Sequence, residues 1–425
     1  MVSEKISSQQ AIDLENNYGA HNYHPLPVVL TKGEGVYVWD VDGKRYYDFL
    51  SAYSAVNQGH CHPKIIKALN DQAGTLTLTS RAFYNDVLGK YEKYVTEFFG
   101  FDKVLPMNTG AEAVETAIKL CRKYAYEKKG IPENQAQIIV CKNNFHGRTT
   151  TIISFSNDEE ARKNFGPFTE GFIKIDYDNI EVLEEVLKSS KNIAGFLVEP
   201  IQGEAGVYVP AEDYLAKAKA LCEKYGVLFI ADEVQTGIAR TGRLLATCGN
   251  CDCADKNCSG TPEVKPDILI LGKALSGGVY PVSAVLANNH IMEVIKPGQH
   301  GSTFGGNPVA AAVAIAALKV IKDEALAENA DKLGKLFRSE MQKFIATQTL
   351  IKLVRGKGLL NAIVINDTEE SSTAWDICLK LRDNGLLAKP THGNIIRFAP
   401  PLVMNEEQLL DCVSIIKKTI TEFNS

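Results

Sequence analysis

The chain has no long apolar run, no excess of basic residues and no repeated or low-complexity tract. Each absence removes a class of function. The longest apolar stretch, 308–318, is mostly alanine and valine, too short and too weakly apolar to span a bilayer, and reads as a packed helix. Lys+Arg number 46 against 51 Asp+Glu, a net charge of −5, and no basic stripe alternates with aromatics, so nucleic acid is not an expected partner. The first ten residues are polar, with Glu4 beside Lys5, and carry neither a secretory apolar core nor an Arg-rich amphipathic presequence. The cytosol is therefore the expected location.

What is present is the composition of a soluble globular chain. Of 425 residues, 45% are hydrophobic and 23% charged, which argues against extensive disorder and for two or three domains. Of the ten cysteines, Cys61, Cys121, Cys141, Cys222, Cys378 and Cys412 are scattered through apolar or helical patterns and read as small buried hydrophobes. Cys248, Cys251, Cys253 and Cys258 crowd together instead.

From about 54 to 302, helical patterns such as 114–126 and 214–225 alternate with short β-branched runs at 138–140, 195–198, 227–231 and 268–271. Short, nearly continuous apolar runs of this kind are expected of strands buried on both faces of a parallel sheet. The fold class is α/β. We expect a large domain over 54–307 and a smaller α+β domain over 308–425, with the N-terminal arm, 1–53, associated with the smaller one. In the arm, 36–39 and 45–50 pair as a hairpin. In the C-terminal third, long helical patterns reach about 344, followed by a strand at 359–365, a helix at 375–384, a strand at 395–398 and a last helix from 405.

Ligands of open α/β sheets bind beyond the carboxyl ends of the strands, so the residues that follow each run carry the chemistry. Asp232-Glu233 follows one run; a carboxylate there commonly just caps the next helix. Lys273 follows another, inside Gly272-Lys273-Ala274-Leu275-Ser276-Gly277-Gly278. A lysine after a strand is usually solvated, but small and apolar neighbours keep water off this amine, which lowers its pKa and makes it a nucleophile toward aldehydes. Thr109 and Glu112 fit a capping box, and the same helix start, with Gly110 baring the backbone, offers an anion site for a phosphate. Phe145 reads either as core or as a stacking plate for a ring. A phosphate cup, an aromatic plate, an acid and a desolvated lysine at sheet ends are the parts a pyridoxal cofactor needs: a Schiff-base lysine, an acid for the pyridinium nitrogen and a phosphate site.

These segments resemble the class-III aminotransferases. The likeness is carried by Asn108-Thr109-Gly110-Ala111-Glu112-Ala113, Phe145-His146-Gly147-Arg148-Thr149, Asp232-Glu233-Val234-Gln235-Thr236-Gly237, the Lys273 segment and Gly301-Ser302-Thr303-Phe304-Gly305-Gly306-Asn307-Pro308, in order from about Tyr18 onward. The resemblance implies a fold-type-I transferase with pyridoxal 5′-phosphate on Lys273, which also shuttles the substrate proton. Asp232 would pair with the pyridine nitrogen, Gln235 would meet the phenolic oxygen, and Phe145 would stack on the ring. Thr109, Gly110 and Ala111 would hold the phosphate, with His146 and Val234 beside the ring. Ser302 and Thr303 would reach that phosphate from a neighbouring subunit, which implies a homodimer or higher homo-oligomer with shared sites.

Within the class the chain is most similar to the ornithine branch, through Tyr18-Gly19-Ala20-His21-Asn22-Tyr23-His24-Pro25 and Ser51-Ala52-Tyr53-Ser54-Ala55-Val56-Asn57-Gln58. This implies transfer from L-ornithine to 2-oxoglutarate. Arg397 would bind the oxo acid's carboxylate in bidentate fashion, and Glu204 would mask Arg397 while ornithine reacts. Tyr23 and Arg148 would hold ornithine's distal end, and Tyr53 would narrow the pocket. Each also has an ordinary reading: a strand-edge charge for Arg397, a loop carboxylate for Glu204, core for the tyrosines. Phe-His-Gly-Arg is shared with acetylornithine enzymes of the class, so transfer from acetylornithine or 4-aminobutyrate is the near alternative, and a non-catalytic cofactor-binding homologue the distant one. The segment 247–262 is longer than the family pattern. It reads as a polar surface loop with reduced thiols, ahead of a redox switch and of a zinc site on Cys248, Cys251, Cys253 and Cys258.

Overall fold

The computed structural model describes residues 6–248 and 264–423. The N-terminal arm contributes strands β1 (Leu30–Glu34), β2 (Tyr37–Asp40) and β3 (Arg45–Asp48). The middle of the chain contributes β4 (Lys103–Met107), β5 (Gln137–Cys141), β6 (Phe172–Ile175), β7 (Ile193–Val198), β8 (Leu228–Asp232), β9 (Ile268–Leu271) and β10 (Ser283–Ala287). The last third contributes β11 (Ile351–Lys357), β12 (Leu360–Ile365), β13 (Leu386–Leu387), β14 (Lys389–His392) and β15 (Ile395–Phe398).

The central sheet has the order β4-β10-β9-β8-β7-β5-β6. Only β10 runs against its neighbours; the rest pair in parallel. β7 and β8 are buried at every position, which explains why Ile-Ala-Gly-Phe-Leu-Val and Leu-Phe-Ile-Ala-Asp do not alternate with polar residues. Gly195 in β7 lets the helix Gly110–Lys128 settle onto the sheet: a Cβ there would lie 2.6 Å from the Cys121 Sγ. The alanine-rich stretch at 308–318 lies in the helix Pro308–Asp323, most of whose side chains are buried. That helix packs against Pro63–Ala73, Leu88–Phe99 and the turn Lys273–Ser276. Among the described residues no helix is long and apolar enough to cross a membrane.

A second, antiparallel sheet has the order β11-β12-β15-β14, with helices Leu326–Ile345, Thr373–Asp383 and Glu406–Phe423 packed around it. The arm forms a third sheet, β1-β2-β3-β13, in which β13 pairs in parallel with β3. The Tyr47 hydroxyl also donates to Asp411 Oδ2 at 2.9 Å, so the arm is fastened to the C-terminal residues. Buried Arg240 bonds to Asn57 Oδ1 and donates to the carbonyls of Leu359 and Pro400, joining the central and C-terminal segments three residues beyond Arg397. This is the α/β architecture with a smaller α+β unit read from the sequence.

Met107, Cys141, Val198, Asp232 and Leu271 end parallel strands along one edge of the central sheet. The segments that follow them converge there.

Candidate active site

A cavity of about 190 Å3 opens at this edge, lined by Gly110, Ala111, Phe145, His146, Gly147, Glu199, Glu204, Asp232, Val234, Gln235 and Lys273, among others. At one end, Thr109 caps the helix Gly110–Lys128. Its Oγ1 accepts the Glu112 N–H at 3.2 Å, and Glu112 Oε2 accepts the Thr109 N–H at 2.9 Å. Gly110 and Ala111 face the cavity from the first turn, where N–H groups lack helical partners and the helix dipole is positive. Two glycines let the surrounding segments pack closely against this helix start. A Cβ on Gly147, whose φ is +130°, would come within 2.9 Å of the Ala111 Cβ, and one on Gly110 within 3.0 Å of Val234 Cγ1.

Along the floor, Asp232 Oδ1 accepts the Val234 N–H at 3.0 Å, and Oδ2 accepts from His146 Nδ1 at 2.6 Å. His146 is buried. Burial would lower its pKa, but the hydrogen bond and charge of Asp232, with Glu199 behind them, raise it above the ordinary histidine value. Glu199 Oε2 accepts the Phe145 N–H at 3.0 Å and so fixes the backbone of the aromatic that lines one wall. Burial pushes the Glu199 carboxyl up to about 8, with Asp232 and Glu204 adding to the rise and His146 and the Phe145 N–H opposing it.

Lys273 enters from the turn after β9 with a φ of +45°, in the left-handed region. Burial lowers its amine's pKa and Arg397 adds to this, against Glu204, Asp232 and Glu199. Asp232 and Lys273 thus line a single space, as the sequence reading expects.

At the other end, Arg397 on β15 is buried and donates to Glu204 Oε1 at 2.8 Å and to the Gly203 carbonyl at 3.2 Å. Gln235 Nε2 donates to the same Glu204 oxygen at 2.7 Å. Burial alone would raise the Glu204 carboxyl, but Arg397, Lys273 and the two hydrogen bonds hold it at about 2. The ring of Tyr53 lies 5.4 Å from the Arg397 guanidinium. Tyr53 belongs to the run Ser51–Ser54, all four of whose residues have φ between +46° and +71°. Left-handed backbone costs a non-glycine residue roughly 1–2 kcal/mol, so this turn is strained where it meets the cavity.

The sequence profile of the class-III aminotransferases matches residues 18–420. The chain belongs to the class-III aminotransferase family. It is 63% identical over 406 residues to the mitochondrial ornithine aminotransferase of Drosophila melanogaster, covering 96% of this chain and 90% of that one. Among solved structures, the acetylornithine aminotransferase of Elizabethkingia anophelis is 65% identical, with a TM-score of 0.88 over 98% of this chain and 100% of that one. The ornithine aminotransferase of Toxoplasma gondii is 49% identical, with a TM-score of 0.94 over 98% of this chain and 95% of that one. The chain is thus an aminotransferase of fold type I whose cofactor is pyridoxal 5′-phosphate.

The cavity fits that cofactor. Gly110 and Ala111 line it at a helix N-terminus suited to a phosphate. One buried polar atom of the lining, His146 Nε2, has no hydrogen-bond partner among the described residues.

Other expected residues lie further out. Arg148 is exposed at the mouth, 5.5 Å over the Phe145 ring and 3.3 Å from Asp158 Oδ2. Tyr23 is 69% exposed and does not line the cavity. Ser302 Oγ accepts from Asn108 Nδ2 at 2.9 Å, beside the helix cap, whereas Thr303 is exposed. Cys251, Cys253 and Cys258 lie outside the described residues; Cys248 is buried. The residues that the sequence reading missed are Glu199 and Gly203. The position of Glu199, first after an all-apolar strand, is the same signal that marked Asp232.

Proposed function

We propose that this aminotransferase moves the δ-amino group of L-ornithine to 2-oxoglutarate, giving glutamate semialdehyde and L-glutamate by a ping-pong course. Such a reaction links arginine catabolism to proline biosynthesis. The observation that carries the reading is the pair of half-buried Glu204 with buried Arg397 beneath Tyr53. An arginine in the site that met ornithine's own carboxylate would present the α-amine. With Glu204 on Arg397, that carboxylate has no seat there, and the terminal amine leads. A carboxyl held at about 2 stays charged through the physiological range, so protonation does not open the pair. Competition does: 2-oxoglutarate offers Arg397 a carboxylate in exchange for Glu204, and the buried guanidinium keeps a partner throughout. Tyr23 and Arg148 would receive the distal end of ornithine, and Tyr53 would narrow the passage.

Gly110, Ala111 and Thr109 would hold the cofactor's phosphate, Phe145 one face of its ring, Asp232 its ring nitrogen and Gln235 its phenolic oxygen, with His146 and Val234 alongside. When bound, pyridoxal phosphate supplies an electron-accepting ring that stabilises negative charge on the carbon next to the transferred nitrogen. Lys273 anchors it and then moves a proton to and from that carbon. A lowered amine pKa suits a base that must be neutral to act. His146 and Val234 fix Asp232, and Glu199 fixes Phe145, before substrate arrives.

A homodimer accompanies this reading. Phe83, Tyr84 and Phe304 are large apolar residues left exposed, and Arg81 nearly touches the 304–306 turn, so the two segments adjoin. A second copy covering them would bring Ser302 and Thr303 to its own neighbour's phosphate cup. Of the scattered cysteines, Cys121, Cys141, Cys222, Cys378 and Cys412 are buried as the sequence reading expects, whereas Cys61 is exposed.

The 65% identity to the Elizabethkingia protein favours N-acetylornithine as the second reading. Following the cofactor's absorbance while ornithine, N-acetylornithine, 4-aminobutyrate and glutamate are added one at a time separates them. Fastest conversion by ornithine supports the proposal, and fastest conversion by N-acetylornithine replaces it.

A further inference from the structure

Gly203 precedes Glu204, and its φ lies outside the left-handed region, so its backbone admits any residue. Its surroundings do not. A Cβ on Gly203 would lie 1.7 Å from Gln235 Oε1 and 2.8 Å from Gln235 Cδ. The Gln235 amide therefore fills the space that a side chain at 203 would take. Its orientation is forced. Nε2 faces two acceptors, Glu204 Oε1 at 2.7 Å and the Tyr53 carbonyl at 3.4 Å, which turns Oε1 toward Gly203. There Oε1 is buried without a hydrogen-bond partner. A buried unpaired carbonyl is costly, so the orientation is held by what Nε2 gains from a charged acceptor. On its other side, Gly203 offers its carbonyl to Arg397 Nη1 at 3.2 Å. One glycine thus touches both donors that hold Glu204.

We propose that Gly203 and Gln235 form a latch that sets how firmly Glu204 covers Arg397, and with it the preference for a terminal amine over an α-amino acid. The substrate half of this inference rests on the ornithine reading; the latch itself does not. Gln235 and Arg397 donate to the same Glu204 oxygen, so without Gln235 an incoming carboxylate has one donor fewer to displace. Gln235 acts here as a positioning residue, and Gly203 gives it its seat.

The test uses the holoenzyme, Gly203→Ala, Gln235→Ala and the double variant, with glutarate as an unreactive dicarboxylate probe in calorimetry. One hydrogen bond to a charged group corresponds to about a tenfold change or more. Both single variants should bind glutarate about tenfold tighter and raise the glutamate-to-ornithine ratio of kcat/KM by a similar factor, mainly through KM. Gly203→Ala should add nothing in the Gln235→Ala background, because the two act through one contact. Unchanged glutarate affinity in Gln235→Ala, or in folded Gly203→Ala, overturns the latch, as does a failure of glutarate to bind any of the proteins. If Gly203→Ala does not fold, Gln235→Ala decides alone. If glutarate tightens as expected but no protein accepts ornithine, the latch stands and the ornithine reading fails.

Discussion

His146 Nδ1 lies 2.6 Å from Asp232 Oδ2, and both side chains are buried at the carboxyl end of β8. The pair holds one carboxylate oxygen still while the Val234 N–H holds the other. A carboxylate fixed in this way would meet the cofactor's ring nitrogen without first giving up freedom of its own.

Replacing His146 with Ala should therefore loosen the cofactor. A hydrogen bond to a charged group contributes about 1.5–3 kcal/mol, which is roughly tenfold or more in affinity. Titrating apoenzyme with pyridoxal phosphate by fluorescence measures this; equal affinities would show that Asp232 needs no support. Because the folded pKa of His146 is raised, the charged pair contributes fully below about 6.5 and is lost as pH rises through the folded value. The gap between wild type and variant should narrow on the alkaline side.

Glu199 likewise makes stability fall as pH rises. Its folded pKa, about 8, exceeds the ordinary 4.5, so the folded protein binds the extra proton and loses stability as pH climbs between those values. Glu199→Gln removes that loss and keeps an acceptor for the Phe145 N–H. Its melting temperature should match wild type near pH 5 and exceed it by a few degrees at pH 9. A gap of the reverse sign would mean that Glu199 is charged in the folded protein at neutral pH.

The strained run Ser51–Ser54 gives a third test. Ala52 has a φ of +46°, where glycine is at ease. Ala52→Gly should stabilise the fold by about 1 kcal/mol, read as a higher melting temperature, and leave donor preference unaltered. Loss of stability would show that the left-handed turn is not strained.

Lys273→Ala should abolish transamination and the visible absorbance that a covalent link between this lysine and the cofactor would give. Persistence of either would place the reacting amine elsewhere.

Much of this was legible before any coordinates. The apolar runs that became β5, β7, β8 and β9 are strands whatever surrounds them, and sheet ends point to Asp232 and Lys273. Other features had no sequence signal. Ser-Ala-Tyr-Ser names no residue that favours left-handed backbone, so the turn presenting Tyr53 is imposed by its surroundings rather than by propensity. Gly203 has ordinary φ, and its need for glycine comes from Gln235, distant in sequence. Arg240 carries no signal in the sequence, yet it is fully buried and donates to Asn57, Leu359 and Pro400 oxygens.

The central claim is that Glu204 on Arg397 makes the terminal amine of ornithine the one that leaves. Ornithine carrying 15N only at the δ position, reacted with 2-oxoglutarate, tests it directly. The label should appear in glutamate, as read by mass spectrometry. Unlabelled glutamate, with the 15N retained in the product from ornithine, would contradict it.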